Sequence, residues 1–164
     1  MHKFFILGLV ILCIATACKR LPDIQGHGEE FFQGVWAQDS MPNDEMLLNY
    51  TQHKFKISCD SFYVDLVTHS KVNYYSDACF NNGLWREYAK GVYEVRHDTI
   101  FFTGTYTKSN YKQKITGCYQ IGQYLKSFKI LNTGRDTLTL ENTANQRIVK
   151  LILREKILCV PKAL

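Results

Sequence analysis

Four cysteines, Cys59, Cys79, Cys118 and Cys159, carry the plainest covalent chemistry in this sequence. No two lie within a few residues of one another and no histidine stands at a zinc-ligand offset, so no metal or other cofactor is expected. An even number in an exported chain points to two structural disulfides, with three connectivities open. His27, His53, His69 and His97 fall in a polar segment, a strand start, a strand end and a hairpin turn, where surface positions explain them better than catalysis. No HExxH, Ser-centred elbow, Walker loop, dinucleotide fingerprint or close carboxylate pair beside a histidine occurs, so no catalytic residue is assigned and the chain does not read as an enzyme. Aromatic side chains are the remaining candidates. Tyr74, Trp85 and Tyr88 gather with Tyr75 and Phe80 in and after one long connection, while Tyr93, Phe102 and Tyr106 sit at positions that would point into one face. These six are expected to contact a small apolar or amphipathic ligand, with core packing the competing role for Tyr93 and Phe102.

The elements that must position them alternate with period two. The chain has 164 residues, 46% hydrophobic and 13% aromatic, with only 3 prolines, which describes one globular domain rather than a disordered segment. Phe55, Ile57 and Cys59 alternate with lysines, and Phe62, Val64 and Leu66 with polar residues. Ala89 to Arg96 and Ile100 to Tyr106 form a hairpin across His97-Asp98. With a first strand opened by Gly34-Val35-Trp36, Tyr111 to Tyr119, Leu125 to Leu131, Thr137 to Glu141 and Arg147 to Arg154 complete a set of about nine short antiparallel strands, while Met41 to Tyr50 holds a helical turn or two. The expected fold is all-β, a sandwich or a closed up-and-down barrel.

Ahead of these strands, His2 and Lys3 precede the apolar run Phe4 to Ala17, of secretory-signal length. The segment Ala15-Thr16-Ala17-Cys18 resembles the lipobox of bacterial lipoproteins. That resemblance implies a signal peptide over 1–17, lipidation of Cys18 by diacylglyceryl and a palmitate-type acyl chain, and a tether over 18–33 leading to a barrel domain over 34–164. Plain cleavage after Ala17, leaving a free Cys18, is the alternative. The resemblance implies a bacterial cell-envelope protein, lipid-anchored at the outer membrane or a periplasmic face, with the membrane as partner. Net charge is +5, and +4 once Lys3 is removed with the leader. The lysines are spread along strands rather than clustered, so no nucleic-acid partner is expected.

Gly34-Val35-Trp36, following Phe31 and Phe32, resembles the Gly-x-Trp signature of the lipocalins and their calycin relatives. In that family the tryptophan plugs the closed end of an up-and-down barrel and a basic side chain of the last strand packs across it, a role that would fall to Arg147. Gly34, Trp36 and Arg147 are thus expected at the barrel base. Counting nine alternating strands in such a barrel puts Cys59 and Cys118 at the base and Cys79 and Cys159 at the mouth, predicting disulfides Cys59–Cys118 and Cys79–Cys159. Gly91 and Gly104 in the wall would leave room for one small ligand.

Three functions follow. A lipocalin-like, membrane-anchored lipoprotein binding a small hydrophobic or amphipathic ligand is the preferred one. The alternative is a structural or interaction lipoprotein, its barrel filled by its own side chains and docking an envelope protein, which a structure with no cavity above roughly 300 Å³ would favour. The chain also resembles short sequences described as fumarate hydratases, but the Gly-Ser-Ser loop of fumarases and an iron–sulfur set of cysteines are missing, and no hydratase activity is expected.

Overall fold

The computed structural model describes residues 24–39 and 44–163. The expected signal peptide and Cys18 lie outside the described residues. The eight strands β1 (Gly34–Ala37), β2 (Asn49–Ser58), β3 (Ser61–Ser70), β4 (Leu84–Arg96), β5 (Thr99–Thr107), β6 (Gln123–Thr133), β7 (Thr137–Asn142) and β8 (Ile148–Lys156) pair in sequence order, and β8 returns to β1. All the pairings are antiparallel, giving a closed up-and-down barrel with no free sheet edge. This architecture is compatible with a lipocalin-like fold.

The period-two pattern explains the closure. Phe55, Ile57, Phe62, Val64, Phe102, Phe128, Leu138, Leu140, Val149 and Leu151 are buried and face inward. Their neighbours Lys54, Lys56, Lys90, Glu94, Lys129 and Lys150 are exposed on the outside. An apolar interior under a charged exterior is the reverse of a membrane-spanning barrel. Phe102 is the hub of the interior, stacked on Phe55 with centroids 4.9 Å apart and edge-on to Phe62 at 4.9 Å.

One expected strand does not form. Residues 111–119 belong to the β5–β6 connection: Tyr111 and Tyr119 take positive φ angles of 56° and 67°, and Tyr111 N–H donates to the Lys108 carbonyl in a turn. Left-handed residues at both ends break the extended run that alternation alone suggested. The strand count is therefore eight rather than nine, and the direction of every later strand reverses against expectation.

That reversal corrects two expectations. The disulfides are Cys59–Cys159, with Cα atoms 4.8 Å apart, and Cys79–Cys118, at 5.5 Å, not Cys59–Cys118 and Cys79–Cys159. Cys59 in the β2–β3 turn and Cys159 after β8 share the closed end, while Cys79 and Cys118 share the mouth. Arg147 likewise lies at the mouth, donating to the Asn49 carbonyl at 3.2 Å, and not beside Trp36.

The closed end is built by the segment before β1. Trp36 is 1% exposed and its Nε1 donates to the Phe32 carbonyl at 2.8 Å, within a 3-10 turn over Glu30–Phe32. Lys156, at the end of β8, donates to the Glu30 carbonyl at 3.0 Å, so a basic group of the last strand does reach this end. Gly34 has φ +153°, and a Cβ there would lie 2.6 Å from the Glu155 carbonyl oxygen, so the first residue of Gly-x-Trp has to be glycine for β8 to close over the indole. Residues 24–33, read from the sequence as tether, are held to the barrel instead. Ile24 bridges Ala163, Gln25 N–H donates to the Lys162 carbonyl at 2.9 Å, and Gln33 is buried against the backbone of Cys59.

Candidate functional site

With the floor sealed, the interior opens at the other end, where β2, β4, β5 and β6 and the β7–β8 turn surround a cavity of about 180 Å³. Four ionisable side chains line it. His53 stands on β2, Glu87 on β4 and Lys126 on β6, while Arg147 precedes β8. Tyr106 and Tyr124 form its base, their rings edge to face at 5.4 Å on top of the phenylalanine core. The cavity is smaller than the roughly 300 Å³ at which sites for drug-sized ligands begin.

Each group's state follows from its surroundings. Glu87, 9% exposed, uses both carboxylate oxygens: Oε2 accepts from Trp85 Nε1 at 3.2 Å and Oε1 from the Gln120 backbone N–H at 3.0 Å. His53 is pushed down to about 4 by burial first and by the Lys126 cation second, which keeps the ring neutral at physiological pH. Its Nδ1 stands 3.3 Å from Gln38 Oε1, an oxygen that also accepts the His53 backbone N–H, and the ring also hydrogen-bonds the Thr51 backbone. Burial, reinforced by Glu87, raises the Tyr106 phenol to about 12, and the Tyr124 phenol is raised further still by burial, so both stay protonated donors.

The rim is aromatic and clasped. Trp85 stacks on Tyr119 with centroids 5.3 Å apart, Tyr75 stands edge-on to both, and Tyr119 Oη donates to the Cys79 carbonyl at 2.5 Å. The Cys79–Cys118 bond thus ties the β3–β4 connection, with its short helix α1 (Asp77–Phe80), to the β5–β6 connection beside the opening. A groove of about 260 Å³ lined by Tyr74, Tyr75, Trp85, Thr68, Thr51 and Glu87 adjoins the cavity, sharing Thr51 and Glu87 with it.

The six expected ligand contacts are not brought together. Tyr106 lines the cavity, and Trp85 and Tyr74 line the rim groove. Tyr88 points outward, its ring 6.0 Å from that of Tyr111 on the outer wall. Phe102 fills the core, and Tyr93 lies at the floor, where its hydroxyl accepts the Glu29 N–H at 2.9 Å. Gly91 and Gly104 face each other across β4 and β5, and a Cβ on either would come within 2.1 Å of a carbonyl oxygen of the opposite strand. They let two backbones approach closely. Conversely, His53, Glu87 and Lys126 were not candidates, although the inward parity of Glu87 with Trp85 and Ala89 was legible along β4. Among the described residues no group of three or more His, Cys, Asp or Glu could hold a metal ion.

Set against protein-family models, curated proteins and solved structures, the chain matches none of them.

Proposed function

We propose that the protein is a lipid-anchored, lipocalin-like envelope protein that binds a small amphipathic molecule by its polar end at the barrel mouth. The observation that carries this reading is the set of four ionisable side chains around the 180 Å³ cavity, above an interior otherwise filled by aromatic and aliphatic side chains. A cavity this size takes a headgroup rather than a whole lipid, and the adjoining Tyr74–Tyr75–Trp85 groove offers apolar surface for the remainder. The anchor fits the same arrangement. Cys18 is six residues before Ile24, an extended reach of at most about 21 Å, and Ile24 sits at the closed end. Exposed Ile24, Leu158 and Val160 would then face the bilayer and the mouth would face away.

The test is fluorescence titration with a panel of amphiphiles and aromatic compounds, using Trp85→Ala, which leaves Trp36 as reference. Saturable quenching lost in the variant is expected. No saturable change for any compound would move the reading to an interaction barrel, which the small interior volume and the exposed outer side chains Tyr63, Val92 and Leu125 favour.

A further inference from the structure

We infer that the mouth cavity is a site for a small organic monoanion, a carboxylate, held between Lys126 and Arg147. The inference rests on the mouth being a ligand site and adds the chemical class of what enters it. Both cations line the cavity, and among the described residues neither has a carboxylate within ion-pair distance. The lining carboxylate, Glu87, offsets one of the two positive charges, but its oxygens accept from the Trp85 indole N–H and the Gln120 amide and it forms a direct ion pair with neither cation. Those donors are fixed by the rim stack and the Cys79–Cys118 bond, so the carboxylate is held away from a competing role. Arg147 spends one nitrogen on the Asn49 carbonyl and keeps the rest of its fork, which suits a planar carboxylate.

Charge and size narrow the class. Two cations, one anion and a neutral His53 leave a net +1 around the cavity, which matches a monoanion and leaves a phosphate dianion half uncompensated. Thr51, Asn142, Asn145, Tyr106 and Tyr124 supply neutral hydrogen-bonding groups, so an anion entering between Lys126 and Arg147 exchanges water for polar partners. Lys126 and Arg147 are exposed, so attraction acts across solvent and weakens with salt.

The experiment uses the full chain and four probes, hexanoate, hexanamide, hexylammonium and inorganic phosphate, followed by amide chemical shifts at low ionic strength. Hexanoate is expected to saturate. The other three should bind at least about tenfold more weakly, and Lys126→Gln or Arg147→Gln should each weaken hexanoate about tenfold without changing the melting transition, the effect of losing one charge-assisted contact. A second readout is the His53 ring. With Lys126, Glu87, Arg147, Tyr106 and Tyr124 lining the same cavity, saturation with hexanoate should raise its titration midpoint, because the bound anion offsets Lys126. Hexanamide binding as tightly as hexanoate, or a Lys126→Gln/Arg147→Gln double variant that keeps hexanoate affinity, would overturn the anion assignment while leaving a mouth ligand site intact. Loss of saturable binding across the amphiphile panel would instead remove the site itself.

Discussion

The two ends of the barrel solve opposite problems with the same strands. At the closed end Trp36, Phe32, Tyr93 and Gln33 are buried, and their polar atoms have partners within the protein: Trp36 Nε1 on Phe32, the Tyr93 hydroxyl on Glu29, Gln33 on Cys59. At the mouth, inward positions on β2, β4 and β6 carry His53, Glu87 and Lys126 in place of rings. Packing at one end supplies stability that the other end, with charges and a void, does not. The difference teaches where function resides in a filled barrel: in the last inward row before solvent, where side chains stop being complementary to each other.

The largest expected effect comes from the covalent tie of the closed end. Cys59–Cys159 closes a separation of 100 residues and Cys79–Cys118 one of 39. Paired Cys→Ala replacement should cost about 4.7 kcal/mol at the closed end and about 4 kcal/mol at the mouth on loop-entropy grounds, read by urea denaturation. Reversed costs would show that the rim is the more restrained region, and equal costs would remove the difference between the two ends. Next, Trp36→Ala should cost about 3–5 kcal/mol, as for other buried large rings, and leave ligand titration of the remaining folded protein unchanged. A binding defect at native stability would dissolve the division between floor and mouth.

His53 supplies an intermediate effect with a defined sign. Its folded value of about 4 lies below the ordinary histidine value of 6.5, so the unfolded chain takes up a proton that the folded one refuses. The contribution is complete above pH 6.5, is lost as pH falls toward 4, and amounts to about 3 kcal/mol over that window. Thermal melts of His53→Gln should lack this part of the pH dependence. Glu87→Ala strands the Trp85 and Gln120 donors and should cost about 1–3 kcal/mol in chemical denaturation, with red-shifted emission from a loosened Trp85. Smallest in stability is Lys126→Gln, expected within about 0.5 kcal/mol of the parent because the side chain is exposed; a larger loss would make Lys126 a structural rather than a ligand-facing cation.

Local pattern carried the wall of the barrel well and its ends poorly. Alternation over Phe55–Cys59, Phe62–Leu66 and Ala89–Val95 reads directly as strands because side-chain direction in a strand is a nearest-neighbour property. The same alternation over 111–119 misled, since left-handed turns at Tyr111 and Tyr119 interrupt it, and these residues are held by groups distant in sequence: the Tyr111 hydroxyl donates to Asp65, Cys118 bonds Cys79 and the Tyr119 hydroxyl reaches the Cys79 carbonyl. One extra strand then exchanged the ends to which Arg147, Cys118 and Cys159 were assigned. In the candidate site, Tyr106 was legible from its strand parity, whereas His53, Glu87 and Lys126 come from three strands far apart in sequence and had no local signal of convergence.

By itself, the amino-acid order determined the all-β class, the inward rings and the availability of four cysteines for two bonds, because each is set by residue type and immediate neighbours. Only the tertiary structure decided which cysteines pair, which end receives Arg147 and which polar groups meet at the mouth. Those outcomes depend on strand direction and ring closure, and in an up-and-down barrel direction is a running count along the whole chain.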